Sequence, residues 1–214
     1  MSDRRAGQER ERDLDRFLTF VDAVVAIAIT LLVLPLVELA GEAAEVSAGE
    51  LLREHEAQLF GFGLSFVVIA RLWFSQHRIV SGLVSQDPLV VRLLMIWTFT
   101  IVLLPFPTAL VAESGDDSAT KVFYVGTMAV SSALLALLAW AVGRDPVLRD
   151  TAEAPDPALA AGTAVAFVLA LALSLAVPAT GYWPLLLLLL PDPVVRRVRL
   201  RHARRADVSG HGQS

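Results

Sequence analysis

The 214-residue sequence has no cysteine, no asparagine and a single lysine, and its charged residues are largely kept out of long apolar blocks. The absence of cysteine excludes disulfide bonds, thiolate chemistry and cysteine metal sites. The four histidines are too scattered for a metal site; they are His55, His77, His202 and His211. The sequence also lacks a phosphate-binding glycine loop, HExxH, GxSxG and clustered carboxylates within the apolar blocks. We therefore predict neither enzymatic activity nor a cofactor.

Apolar residues are abundant, and they are grouped in blocks of membrane-spanning length. They make up 55% of the chain, whose mean hydropathy is +0.60, whereas about 45–50% is usual in soluble domains. A helix that crosses the bilayer needs about 20 apolar residues. Five segments meet this length, at about 17–37, 57–77, 89–111, 120–142 and 158–178. The pattern predicts a polytopic membrane protein rather than a soluble core.

A sixth apolar run, from Tyr182 to Val195, is shorter and contains three prolines. At about 1.5 Å per residue it covers only ~21 Å. It must therefore thin the bilayer, extend through snorkelling arginines or be re-entrant. Counted as a span, it gives an all-α protein with six transmembrane helices.

Arginines mark one side of the membrane. They precede the first span, flank the second and fourth loops and follow the last span, whereas acidic residues dominate the first and third loops. Because cytoplasmic flanks carry the arginine excess, both termini are predicted in the cytoplasm of a bacterial inner-membrane protein. Two cytoplasmic termini require an even number of spans, which independently supports the sixth helix.

The chain divides into three parts. Residues 1–15 are a charged cytoplasmic segment, either disordered or a helical extension, 16–200 form the six-helix transmembrane domain, and 201–214 are a basic cytoplasmic tail. Basic residues after a span are typical of a stop-transfer anchor as well as of nucleic-acid or lipid binding. We favour the anchor and predict no nucleic-acid partner.

Asp22 is an acidic residue about 8–9 Å inside the first span, counted from Arg16. A carboxylate at this depth needs a partner, and Arg71 and His77 near the cytoplasmic end of the second span are candidates. Trp73 and His77 share a helix face through their four-residue spacing. The group is interpreted as a polar cluster that holds the first two helices together, or alternatively as a proton relay.

Ile27, Thr30 and Leu34 lie on one face of the first helix. A threonine in an apolar helix usually bonds to its own backbone carbonyls. Around a symmetry axis, this stripe would form two apolar rings with a hydroxyl ring between them, as in a pore that closes by dewetting. Ordinary helix packing explains the same spacing, so both interpretations remain open at this point.

Three segments resemble one known family. The first helix has Arg16-x-x-x-Phe20-Val21-Asp22-Ala23 followed by an apolar run, similar to the RxxxFSDG signature of bacterial relatives of transmembrane protein 175, the endosomal and lysosomal potassium channel. The second helix ends in Trp73-x-x-x-His77-Arg78, and the third closes on 103–110, LLPFPTAL. The resemblance covers the first three helices, and the chain has the six-helix size of one family repeat.

The resemblance implies a potassium-selective channel assembled as a homotetramer in the lipid bilayer, with K⁺ as the permeant ion. It places an aliphatic constriction at Ile27, a selectivity threonine at Thr30 and a further apolar ring at Leu34. It also implies a polar network of Arg16, Asp22, Trp73 and His77 that holds the first helix in position.

The sequence departs from the signature at two positions, since Val21 replaces its serine and Ala23 its glycine. The asparagine common early in the third helix of the family is also absent, because the chain has no asparagine. It also has no TVGYG-like filter, so selectivity would come from side chains and be modest. A secondary transporter or proton-coupled permease that uses Asp22 and His77 is the alternative, and a non-conducting membrane scaffold is a third interpretation.

Overall fold

The computed structural model describes residues 2–39, 41, 47–85, 87–114, 117–149 and 157–176, which are mostly helical. Eight α-helices follow one another along these residues: α1 Ser2–Leu31, α2 Leu34–Leu39, α3 Ala48–Glu54, α4 Glu56–Val80, α5 Pro88–Leu103, α6 Pro105–Ser114, α7 Ser118–Arg144 and α8 Pro157–Ala176. The predicted all-α class is confirmed.

Four helical segments are long and apolar enough to cross a membrane: Arg12–Leu39, Glu56–Val80, Pro88–Glu113 and Ser118–Arg144. They coincide with the first four predicted spans. Helix α8 covers most of the fifth predicted segment. The sixth predicted segment and the basic tail lie outside the described residues.

Helix α1 begins at Ser2, so the charged N-terminal segment is a helical extension of the first span. The helix ends at Leu31 and resumes as α2 at Leu34. Pro35 accounts for the interruption, because proline has no N–H and its ring clashes with the carbonyl four residues earlier. The Val33 amide instead donates to the Thr30 carbonyl at 3.2 Å, which tightens the last turn.

A second proline divides the third span into α5 and α6. The Leu104 amide donates to the Ile101 carbonyl at 3.2 Å, and α6 then starts at Pro105. The Thr108 hydroxyl bonds to the Leu104 carbonyl at 2.8 Å. Both interruptions occur inside membrane-spanning segments, where neighbouring helices and threonine side chains can satisfy the freed backbone groups.

Aspartates cap two of the spans. The Asp87 carboxylate accepts hydrogen bonds from the Leu89 and Val90 amides, with Pro88 in the first turn of α5. Asp117 accepts from the Thr120 amide at the start of α7. Each carboxylate satisfies amides that have no partner within the helix and also complements the helix dipole.

The core lies along α7, which packs against α4 and α5, and includes fully buried Trp97, Tyr124 and Met128. A group of three buried hydroxyls joins α4, α6 and α7: the Ser65 oxygen lies 2.9 Å from that of Thr108 and 2.7 Å from that of Tyr124. At the opposite end of the bundle, the Val84 amide donates to the Leu148 carbonyl at 3.0 Å. This bond connects the α4–α5 loop to the short 3₁₀ turn after α7.

Candidate pore-lining face and polar contact of the first helix

Helix α1 has a buried face and an exposed face. Val21, Val25, Ala28 and Leu32 are at most 2% exposed and pack into the core. The opposite face carries exposed residues in steps of four and three: Arg16, Phe20, Ala23, Ile27, Thr30, Leu34 and Val37. We call these seven residues the α1 stripe. Such a seven-residue repeat keeps one seam of a helix facing a partner helix.

The three residues predicted to line a pore all lie on the α1 stripe. Ile27 is 59% exposed and Leu34 is 53% exposed, and Thr30 between them is also exposed. The single chain therefore leaves this part of its first span uncovered, although it buries the other side of the same helix. The stripe is available to lipid or to further copies of the chain.

The Thr30 hydroxyl donates to the backbone carbonyl of Ile27 at 2.7 Å. This is the back-bonding expected of a threonine within an apolar helix. A hydroxyl has one proton and two lone pairs, and the proton is used inside the helix. The oxygen thus keeps lone-pair capacity on the exposed side of the stripe.

Asp22 is joined to the second span by an indole. The Trp73 Nε1–H donates to the Asp22 Oδ1 at 2.8 Å, and the contact is partly buried. The sequence suggested Arg71 and His77 as candidate partners of Asp22, and Trp73 as a member of the wider network. Arg71, His77 and Trp73 lie at similar depths on α4, and the packing of the helices brings the indole N–H to the carboxylate.

His77 contacts the same indole from one turn further along α4, with ring centroids 5.7 Å apart. The described hydrogen bonds and ring contacts thus connect Asp22, Trp73 and His77 in sequence. They do not include Arg16, which is exposed on the α1 stripe. The structure brings three of the four predicted network residues together.

The two departures from the family signature occupy different environments. Val21 is fully buried in the core, so an apolar side chain contributes packing where the signature has a hydroxyl. Ala23 lies on the α1 stripe, where a small residue permits close approach of another helix.

The buried cluster of three hydroxyls, from Ser65, Thr108 and Tyr124, was not predicted from the sequence. Each of these residues is an ordinary polar residue within an apolar segment, and their contact depends on how three helices are rotated about their axes. Tyr124 was the residue that could have indicated this cluster, because the O–H of a buried tyrosine usually has a hydrogen-bond partner.

Two comparisons with known proteins found a similar family model and a similar solved structure. The family model for the endosomal/lysosomal potassium channel TMEM175 matches residues 16–105, which include the α1 stripe, Asp22, Trp73 and His77. The fold is similar to the crystal structure of a lysosomal potassium-selective channel TMEM175 homolog from Chamaesiphon minutus, with a TM-score of 0.67 and 22% identity. That match covers 88% of this chain and 98% of the other. A search of curated proteins found no match. The chain is therefore similar to the TMEM175 family over residues 16–105, and its fold is similar to that of the channel homolog.

Proposed function

We propose that the protein is a potassium channel that passes K⁺ passively through a pore lined by α1 in a homotetramer. The family is one of ion channels and not of enzymes. The observation that carries the proposal is the uncovered α1 stripe, which lies within the segment matched by the family model. Four copies of this stripe around an axis would enclose a narrow path with apolar walls.

In this arrangement Ile27 and Leu34 form apolar rings, and Thr30 forms a hydroxyl ring between them. The rise along a helix places the Thr30 ring about 4.5 Å from Ile27, and the Leu34 ring follows beyond the interruption at residues 32–33. Apolar rings close a narrow path to water, and ring oxygens replace part of the hydration shell of a cation. Because the Thr30 proton is bonded to the Ile27 carbonyl, its oxygen can present lone pairs to the cation. A single ring of this kind supports modest selectivity.

We assign an anchoring role to the polar contact. Asp22 and Trp73 hold the pore helix against α4, with His77 behind the indole. The bonded carboxylate holds one side of α1 against α4 while the buried face of α1 packs mainly against α5, and so keeps the α1 stripe turned away from the core. The channel would lie in a bacterial cytoplasmic membrane with both termini in the cytoplasm, as the arginine distribution predicts.

The test is K⁺ flux in liposomes that contain the purified protein. We expect a reversal potential that follows the K⁺ gradient, and a several-fold loss of K⁺ over Na⁺ selectivity in Thr30→Ala. Thr98→Ala is the matched control, because Thr98 also bonds to its own helix, to the Leu94 carbonyl at 2.8 Å, but is buried in α5. Equal selectivity in wild type and Thr30→Ala would exclude the role assigned to Thr30.

The proposed role of the apolar rings is tested by substitutions that widen them. Leu34→Ala and Ile27→Ala are expected to increase the leak several-fold, since a wider ring stays hydrated. Val33→Ala is the control, because Val33 is 41% exposed but lies off the stripe. Unchanged conductance in the two stripe variants would place the path elsewhere. Saturating, pH-coupled flux that depends on Asp22 and His77 would favour the transporter interpretation.

A further inference from the structure

A groove between α5 and α7 lies outside the proposed pore. It has a volume of about 650 Å³ and extends along α7 from Ser118 to Val130, with Thr100 and Leu103 of α5 on one side. Phe123 forms part of its wall and meets the ring of Phe106 edge-on, with centroids 5.9 Å apart. The volume lies within the usual range for small-molecule sites.

The surface that lines the groove is almost entirely apolar, although Thr100, Ser118 and Thr127 are among its residues. The Thr100 hydroxyl donates to the Trp97 carbonyl at 2.6 Å, and the Thr127 hydroxyl to the Phe123 carbonyl at 2.7 Å. Both hydroxyl protons are thus used within their own helices. The occupant that fits this lining is an apolar chain rather than a polar ligand or a column of water.

The groove is part of a longer exposed face of α7 that also includes Ala133, Leu137, Trp140 and Arg144. The Arg144 guanidinium lies over the Trp140 ring, 5.0 Å from its centroid, and Trp140 is 50% exposed. Exposed tryptophans and arginines at one end of a span are typical of the boundary between lipid tails and headgroups. This face of α7 therefore points towards lipid at its Arg144 end.

The length of α7 places the groove in the leaflet opposite to Arg144. Ser118 and Trp140 are 22 residues apart, or about 33 Å along a helix, close to the hydrocarbon thickness of about 30 Å. The groove occupies the first twelve residues of this distance, about 18 Å. This is close to the ~15 Å depth of the hydrocarbon in one leaflet.

We propose that this groove holds one acyl chain of a membrane phospholipid from the leaflet opposite to Arg144. The chain would lie along α7 over Gly126, with its headgroup beside Ser118 and Asp117. The acidic residue at this end favours a headgroup with an ammonium, such as phosphatidylethanolamine. The site is independent of ion conduction and of the α1 stripe.

Gly126 permits a direct test, because a Cβ built at this glycine meets no atom within 4 Å. Gly126→Phe is therefore expected to fill the groove while the helix is preserved. Ala133→Phe is the matched control, since Ala133 is exposed seven residues along the same face and does not line the groove. Both variants replace a small residue on the same face of α7 with phenylalanine.

The measurement is native mass spectrometry of detergent-solubilised protein supplied with phosphatidylethanolamine. We expect wild type and Ala133→Phe to retain about one lipid per chain after delipidation. Gly126→Phe is expected to retain at most about one fifth of the lipid that wild type retains. Equal retention in the two variants, or no retained lipid in wild type, would overturn the proposal.

A second measurement distinguishes lipid from protein as the occupant. The chain has no cysteine, so Val130→Cys carries a unique spin label at the end of the groove. In liposomes, a label beside an acyl chain is mobile and collides frequently with dissolved oxygen. An immobile label shielded from oxygen would show that another copy of the chain, or its segment after residue 176, covers the groove, and would overturn the proposal.

Discussion

At the scale of single residues, the most informative contact is the hydrogen bond from the Trp73 indole to Asp22. It joins the first two spans of a protein whose membrane segments contain few ionisable groups. A carboxylate at this depth is costly unless it is bonded, and the indole supplies a donor without adding a second charge. Most of the side chain of Trp73 remains apolar and compatible with the membrane.

Trp73→Phe is expected to lower the free energy of unfolding by about 1–2 kcal/mol, because it removes the N–H but keeps an aromatic ring in place. The thermal midpoint of the protein in detergent measures this loss. Trp140→Phe is the control, since Trp140 is half-exposed and packs beside Arg144 rather than between helices. Equal midpoints for the two variants would mean that the Asp22 contact contributes no net stability.

The sequence indicates the depth of Asp22 but not which partner it meets. Positions 71, 73 and 77 lie within two turns of α4, so their depths differ by at most about 9 Å. Residues two apart are rotated by about 200° around a helix, and only packing decides which of them faces α1. The burial of Leu64, Val68 and Leu72 sets this rotation of α4, and it depends on side chains of α6 and α7.

At the scale of helices, the ends of the spans are determined by local chemistry. Asp117 caps α7, and hydrogen bonds from the Thr120 amide and hydroxyl and from the amides of Ala119 and Ser118 lower its pKa below the usual value of 3.8, against a smaller opposing effect of burial. A lowered pKa in the folded state stabilises the fold at any pH above the unfolded value. That stability is lost as the pH falls through the folded pKa.

Asp117→Ala is accordingly expected to reduce the thermal midpoint throughout the range from about pH 5 to 7, where the wild-type carboxylate is ionised. Its difference from wild type should shrink as the pH falls below about 4. Asp117→Asn keeps a cap acceptor without the charge, so its midpoint should depend less on pH than that of wild type. A difference between wild type and Asp117→Ala that does not change from pH 3 to 7 would contradict this account.

The spans themselves were predictable because two independent features of the sequence indicate them. Apolar length indicates each of the first four spans, and the arginine flanks independently predict their direction. The interruptions at Pro35 and Pro105 follow known properties of proline, but membrane helices also tolerate prolines. Whether such a helix bends, or ends and restarts, depends on its neighbours.

At the scale of the whole molecule, the α1 stripe and the exposed face of α7 differ in the types of residue that they expose. The α7 face ends in a tryptophan–arginine pair suited to the lipid boundary. The α1 stripe includes Ala23 and Thr30 among larger apolar residues. Small and hydroxyl-bearing residues are common where membrane helices pack together. We therefore expect α1 to face copies of itself and α7 to face lipid.

Light scattering of the detergent-solubilised protein should give a mass of four copies of the 23.1-kDa chain. Ala23→Trp places a large ring on the stripe and is expected to reduce the tetramer fraction severalfold. Ala133→Trp makes the same change on the lipid-facing side of α7 and should leave the tetramer intact. A monomeric or dimeric wild type would remove the pore as proposed.

The hydrogen bond from Val84 to Leu148 limits how the two halves of the chain can move against each other. It links the loop after α4 to the turn after α7, and the hydroxyl contact between Ser65 and Tyr124 links the same two helices nearer their other ends. Because α4 and α7 are held together at two depths, a rotation of one against the other would break one of these contacts. We therefore expect the two helices to move as a unit.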